Sequence, residues 1–387
     1  LQDNQLIKLN AMRSRILIIS MLLLTAVAAN AADIRIALFY GKSIQSVVFT
    51  TVEGEYLLSG DGRQVAVIRK GTMIHMETTE NGIALHDTLQ AYGIFNRIEC
   101  TGVSVSNIFL LKPVYPAGTA KESEDDLTIE MAGGSLRMIN KLALEKYIPG
   151  SVETEGGPGA TVEFYKAQAV LIRTFAFKNF TRHAEQGFNL CDGIHCQAYN
   201  GKSRMNKSIY DAVTATKDLI LANGAGEPVT TAYHANCGGI TSSAAMAWNR
   251  DLPYLVPVHD PFCNESSYRN WRKELSLDEW KKYLQGKGIE AASALPDAGN
   301  QPGGREKFFV YGKAALPLTM VRADLGLRSA YFTLAGSNGK MIINGHGYGH
   351  GVGMCQQGAM EMARKGYCYV DILMFYFGRG VRIAQRQ

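Results

Sequence analysis

From residue 33 to about residue 135, apolar and polar positions alternate in short runs: IRIALF, SVVFTTV, EYLLSG, VAVIRKG, MIHMETT and NGIALHD. The runs are rich in β-branched residues and are separated by Gly-, Asn- or Asp-containing turns, a pattern that predicts strands and no helix. His75 and His86 lie singly on such runs, where packing or surface roles are expected. Lys112 to Asp126 carries two prolines, a glycine and the acidic run Glu122–Asp126, which predicts a solvated loop. Strand-like patterning resumes in LTIEMAGGSLRMINKLALEKYIPG and leads into Glu153 and Glu155, just before the break Gly156-Gly157-Pro158-Gly159.

The period then changes. Phe164, Ala167, Leu171 and Phe175 recur at helical spacing, with Thr161 placed to cap the first turn and Glu163 to complement the helix dipole. Gln168 and Arg173 interrupt this apolar stripe and need partners if buried; for an arginine near two glutamates the simplest is an ion pair. Further on come a helical segment (Ser203 to Thr216), strand-like DLILAN and EPVTTAYHANCGGITSSAAMAW, and an amphipathic helix (Leu277 to Leu284). A flexible Pro/Gly/Ala stretch near 290–304, strands around FFVYG and YFTLAG, and a helix beginning near Met354 complete the chain. The expectation is an α+β protein of two parts, a β-rich accessory domain over 32–126 and a mixed α+β domain with a groove over 127–387.

Composition changes this picture little. The chain has 387 residues, 46% hydrophobic and 19% charged, enough for a sizeable core and against global disorder. A net charge of +5 suits an anionic polymer but comes with no Lys/Arg run or nucleic-acid motif, so nucleic acid is not an expected partner. The N-terminus says more. After residues 1–11, read as an upstream extension, Met12 opens a segment with Arg13 and Arg15, the apolar run Ile16–Val27 and Ala29-Asn30-Ala31. These are the parts of a secretory signal peptide over 12–31, and the run is short for a membrane span. An exported protein of the periplasm or cell envelope, with no stable span after cleavage, is expected.

The candidate chemistry lies in three stretches besides Glu153 and Glu155. His183, Cys191, His195 and Cys196 fall within fourteen positions and make a tetrahedral zinc ligand set, with a Cys191–Cys196 disulfide as the alternative. Cys237 and Cys263 are either a disulfide or two buried thiols. Trp248, Tyr254, His259, Tyr268 and Trp271 suit sugar stacking or core packing equally well. In GHGYGHGVGMCQQGAMEMARKG, glycines alternate with His346, Tyr348 and His350, so backbone can approach another surface closely. No nucleophile elbow of the G-x-S-x-G type, no H-E-x-x-H and no dinucleotide-loop context is present.

Taken together, YIPGSVETE, KAQAVLIRTFA, CDGIHCQAYNG, LTMVRADLGLRSAYF and GHGYGHGVGMCQQGA resemble, in order, the motifs of the SpoIID/LytB family, over roughly two thirds of the chain from Leu127 to Val381. The resemblance implies peptidoglycan processing: a lytic transglycosylase cutting glycan strands, or a non-catalytic glycan-binding enhancer of a peptidoglycan amidase. It implies Glu155 as the catalytic acid, with Glu153 in support, and zinc as a structural cofactor on Cys191, His195, Cys196 and His183. Tyr199, His350, Gln356 and Arg173 are the candidates for binding substrate. Gly156 stands where the family usually has Met, and Gln357 where it usually has Trp.

Overall fold

The computed structural model describes residues 33–204, 206–289, 305–311, 313–378 and 380–386. The expected extension, signal peptide and flexible stretch near 290–304 lie outside the described residues. The first twelve strands are β1 (Asp33–Leu38), β2 (Ser46–Glu53), β3 (Glu55–Gly60), β4 (Arg63–Arg69), β5 (Met73–Thr79), β6 (Gly82–His86), β7 (Ala91–Phe95), β8 (Arg97–Gly102), β9 (Ile108–Tyr115), β10 (Lys121–Glu124), β11 (Asp126–Ala132) and β12 (Ser135–Ala143). They form two sheets. One runs β10-β9-β2-β5-β6-β7; the other runs β1-β12-β11-β8-β3-β4 and gains β13 (Leu190–Cys191) as a parallel edge strand beside β1.

Alternation builds these sheets. Every second residue of β2 and β3 is buried, and the inward faces meet: Phe49 and Phe109 of one sheet lie 5.1 and 6.2 Å from the Tyr56 ring of the other. His75 and His86, isolated in sequence, are direct cross-strand partners stacked at 5.1 Å. Two expectations fail here. Residues 112–126 are no solvated loop: β9 extends to Tyr115, β10 pairs with it, and Ser123 is fully buried against Asn140 and Tyr199. The division expected at 126/127 is crossed by both sheet and core, because β11 and β12 pair with β8 and β1.

The chain then leaves the sandwich through α1 (Leu144–Gly156) and α2 (Val162–Lys178). The strand expected up to Pro149 ends at Ala143; LEKYIPGSVETEG is helical with Pro149 inside it. Proline has no N–H, so the carbonyl four residues back loses its helical donor, a cost tertiary packing offsets: Tyr147, Ile148 and Val152 are fully buried. Thr161 precedes α2 but does not cap it; the Tyr165 hydroxyl instead accepts the Ala160 amide and donates to the Gly157 carbonyl. Beyond lie α3 (Lys207–Ala215), β14 (Leu219–Ala222), β15 (Tyr233–His234) and α4 (Ala244–Trp248). The long strand expected around TTAYHANC contracts to the two residues of β15.

Residues of β16 (Asn270–Ser276), α5 (Leu277–Gly286), β17 (Phe308–Tyr311), β18 (Ala314–Pro317), α6 (Leu318–Asp324), β19 (Phe332–Ser337) and β20 (Lys340–His346) build a separate small core around Trp280, Val321, Met341 and Ile343. The chain returns to the main core with β21 (Met354–Cys355), parallel to β15, then α7 (Gln356–Arg364), α8 (Tyr369–Phe377) and β22 (Arg382–Gln385). No described helix is long and apolar enough to cross a membrane.

Arg173 locks this arrangement. Fully buried on α2, its Nε and Nη2 donate to the two carboxylate oxygens of Glu145 on α1, each at 2.8 Å, and its Nη1 donates to the Leu219 carbonyl of β14. The ion pair expected from the sequence exists, with Glu145 as partner and neither Glu153 nor Glu155. Each guanidinium nitrogen is thus bonded within the fold and the side chain is fully buried, which gives Arg173 a structural role in place of the expected substrate-binding one. Breaking a buried pair from one side costs about 3–5 kcal/mol. Arg173→Ala is expected near the lower figure, because the Glu145 side chain keeps 25% exposure to water, and urea unfolding would read the loss as a lowered midpoint.

Candidate functional site

The last turn of α1 clamps a loop. Glu153, Thr154 and Glu155 each accept a backbone N–H from the segment after the second cysteine of CDGIHC. Ala198 N–H reaches Glu155 Oε1 at 2.7 Å, Asn200 N–H reaches Thr154 Oγ1 at 3.2 Å, and Arg204 N–H reaches Glu153 Oε2 at 2.7 Å. Two residues apart on a helix, the glutamates point about 200° apart, so they do not form a carboxylate pair. Glu153 holds the far end of this loop segment, at the Arg204 amide. Close approach of the two backbones depends on Gly150: a methyl there would sit 2.1 Å from the Gly201 carbonyl oxygen.

Glu155 is half-buried, and its other contacts come from far along the chain. The Tyr233 hydroxyl lies near its carboxylate and favours the charged form, and the Gln356 side-chain amide donates to its backbone carbonyl at 3.0 Å. Burial raises the Glu155 pKa above the usual carboxylate range, while the Ala198 amide and the Tyr233 hydroxyl, which favour the charged form, hold it down. Behind it, Tyr147 O–H donates to Gln197 Oε1 at 3.2 Å, and Gln197 Nε2 donates to the Tyr233 oxygen at 3.3 Å. Burial pushes both phenol pKa values upward, so both stay neutral donors. Gly156, next to Glu155, is packed so closely that a Cβ would lie 2.9 Å from the Phe164 ring; a Met here would need that ring to move.

The sequence candidates divide accordingly. Gln356 is at the site. Tyr199 is not in a groove: it is fully buried, its hydroxyl meets Ser123, its ring packs 5.0 Å from Tyr147, and its carbonyl accepts from Lys121 Nζ at 2.7 Å. His350 lies close by, its ring 5.6 Å from His234 and 5.3 Å from Trp248. Val352 N–H donates to His350 Nδ1 at 3.0 Å. Burial, then the nearby Arg322 charge, pushes its pKa down to about 4, so His350 is neutral and orders the turn around Tyr233. Of the aromatic stretch, Trp271 belongs to the second core, packed against Gly345 and Phe332. Tyr233, Gln197 and Tyr147 had no sequence signal beyond sitting in or beside the matching motifs.

The Cys/His loop is a compact donor cluster. His183 Nε2 lies 3.4 Å from Cys196 Sγ, and His195 Nδ1 lies 3.7 Å from Cys196 Sγ and 3.8 Å from Cys191 Sγ. All four ligand atoms fall within 4.8 Å of one another. With Zn–S near 2.3 Å and Zn–N near 2.0 Å, a tetrahedron has N···S edges of about 3.6 Å, so these residues fit one zinc ion. His183 Nδ1 meets Gln186 Oε1 at 3.2 Å, which turns Nε2 toward the cluster. Both thiols are free, and hydrogen bonds from Cys196, the Gly193 backbone and His195 draw the Cys191 thiol pKa down. Cys191 is anchored to the sandwich edge through β13, and Cys196 is two residues from the amide that holds Glu155.

Comparisons with known proteins follow the same residues. The family model described as Stage II sporulation protein matches residues 132–222, which include Glu155 and all four metal-ligating candidates. An uncharacterized protein of Brachyspira hyodysenteriae is 32% identical over 281 residues, 68% of this chain and 76% of its own. Stage II sporulation protein D of Bacillus subtilis is 29% identical over 302 residues, covering 73% of this chain and 87% of the relative. The amidase enhancer of Bacillus subtilis is 26% identical over 291 residues, 59% of this chain but 39% of that longer protein.

Tyr233→Phe removes a donor that favours the ionised carboxylate. The Glu155 pKa is therefore expected to rise further, and a carboxyl-carbon NMR titration would read the midpoint moving to higher pH; an unchanged or lower midpoint would contradict this geometry.

Proposed function

Because this chain belongs to the SpoIID/LytB family, we propose that it is an exported peptidoglycan-processing protein, a lytic transglycosylase in which Glu155 is the one proton-transfer group. The observation that carries the reading is the isolation of Glu155: half-buried, raised in pKa, held by the Ala198 amide, with Glu153 turned away on the same helix. A glycosidase of the hydrolytic kind uses two carboxylates roughly 5–10 Å apart. One carboxyl suffices when the nucleophile is part of the substrate. Protonated Glu155 gives its proton to the glycosidic oxygen as the bond from that oxygen to C1 breaks. The resulting carboxylate then takes the proton of the muramic acid 6-hydroxyl while that oxygen attacks C1, closing the 1,6-anhydro ring without water. The acid form is thus regenerated.

In this reading His183, Cys191, His195 and Cys196 hold a zinc ion. Four protein ligands close its coordination, so zinc supplies loop rigidity and no chemistry of its own. The residues of the chain do the rest: Ala198 N–H aims the carboxylate, the nearby Tyr233 hydroxyl favours its charged form, and the Gln356 amide fixes the carbonyl behind it.

Similarity to an amidase enhancer favours a second reading, in which the same surface binds glycan and stimulates an amidase without cutting. Incubation with peptide-free glycan strands separates the two. Anhydromuramoyl products are expected from the wild type and are expected to fall by at least about 100-fold in Glu155→Gln, read by mass spectrometry. Retained glycan binding with no products, and a faster amidase reaction on adding the protein, would support the enhancer; reducing-end products dependent on Glu153 would instead indicate a hydrolase. Native mass spectrometry should find zinc that Cys196→Ser releases, together with faster hydrogen exchange at the Ala198 amide. Zinc-free protein carrying a Cys191–Cys196 disulfide would overturn the metal assignment.

A further inference from the structure

Three thiols and a carboxylate from distant parts of the chain meet inside the main core. Cys237 follows β15, Asp260 and Cys263 lie in the loop after α4, and Cys355 ends β21. None of the four is more than 1% exposed, and their ligand atoms all lie within 4.8 Å of one another. Cys237 Sγ is 3.4 Å from Cys263 Sγ and 3.2 Å from Asp260 Oδ2. A disulfide needs sulfurs about 2.05 Å apart and would still leave Cys355 and Asp260 packed against it. Around zinc, by contrast, S···S and S···O edges of about 3.5–3.8 Å are expected, close to those found.

The surroundings are arranged for anionic sulfur and a fixed carboxylate. Cys355 Sγ accepts backbone N–H bonds from Cys237 at 3.3 Å and Gly358 at 3.4 Å. It also stands at the N-terminus of the nine-residue helix α7, where the dipole favours negative charge. Asp260 is held from both sides: Tyr376 O–H donates to Oδ2 and Phe262 N–H to Oδ1, each at 2.9 Å. Such outer bonds orient metal ligands. A carboxylate buried among thiols with no cation is costly, and a bound dication removes that cost. Three thiolates and one carboxylate would leave a zinc centre at net −2, and the Arg305 guanidinium lies alongside, donating to the Cys237 carbonyl at 2.7 Å and the Ile240 carbonyl at 2.8 Å.

We propose that Cys237, Asp260, Cys263 and Cys355 form a second, closed metal centre for a thiolate-binding dication of the zinc type. Its place in the fold gives it a task. Cys355 directly precedes Gln356, whose amide bonds the Glu155 carbonyl. The centre therefore fixes the C-terminal turn against α1 at the Glu155 carbonyl, whereas the Cys191 loop meets its carboxylate.

Metal analysis and native mass spectrometry of the purified full chain would test it. Two zinc ions per chain are expected, with one remaining in Cys191→Ser/Cys196→Ser and one in Asp260→Asn. Cobalt reconstitution of Cys191→Ser/Cys196→Ser should still give the near-ultraviolet thiolate charge-transfer band. If the first assignment fails alone, the count is one, and that ion is lost in Asp260→Asn but kept in Cys191→Ser/Cys196→Ser. Should a variant not fold, the wild type decides: Cys237, Cys263 and Cys355 should react with alkylating agent only after chelation or unfolding. A Cys237–Cys263 disulfide in peptide maps of the wild type, or a single ion that Cys196→Ser removes, would overturn the proposal.

Discussion

The bond from the Ala198 amide to the Glu155 carboxylate is the contact on which the rest of the site depends. It joins the last turn of α1 to the loop that leaves the Cys/His cluster, and it favours the charged form of the acid proposed for proton transfer. A carboxyl withdrawn from water resists ionisation, while a carboxylate that accepts an N–H resists protonation. Glu155 sits between these pulls, with burial the larger of them and its pKa raised. A group that must first give a proton and then take one back needs that balance.

Holding this balance requires that both sides of the bond stay still. On one side, α1 is fixed by the Arg173–Glu145 pair and by the packing of Tyr147 and Ile148. On the other, Cys191 is stitched to the edge of the sandwich through β13, and Lys121 of β10 donates to both Asp192 and the Tyr199 carbonyl at 2.6 and 2.7 Å. The β-rich part is thus no separate accessory. Its edge strands supply the ground on which the loop rests, which is why its sheet and core run past residue 126 without a break.

The parts legible in the sequence were those written by short-range periodicity. Strands β1 to β6 alternate and are punctuated by turns, and α2 carries its apolar stripe, so both follow from neighbouring residues alone. The Cys/His loop was legible because four strong donors fall within fourteen positions. What failed to show was set by distant contacts. Pro149 argued against helix, and only burial of the residues around it explains α1. Arg173 looked like a groove residue because Glu145 was hidden in what read as a strand. Ser123 sat in an acidic, proline-flanked run whose burial depends on Asn140 and Tyr199. Tyr233 was invisible for the same reason, since a two-residue strand has no periodicity and exists only through its pairing with Met354 and Cys355.

That pairing gives the C-terminal motif its meaning. Alternating glycines in GHGYGHGVG let the backbone fold closely over β15, where Gly349 lies against the His234 side chain and Gly353 against the Ala232 carbonyl. His350, neutral and accepting the Val352 amide at Nδ1, acts as a fastener for this turn and carries no charge to a substrate. Tyr233 on β15 and Gln356, the first residue of α7 after the paired β21, thereby reach Glu155, one near the carboxylate and one at the carbonyl. The acid is read from the α1 motif, but its chemistry depends on a turn some two hundred residues later in the chain. Substitutions in that turn act on Glu155 through Tyr233 and Gln356, without touching it.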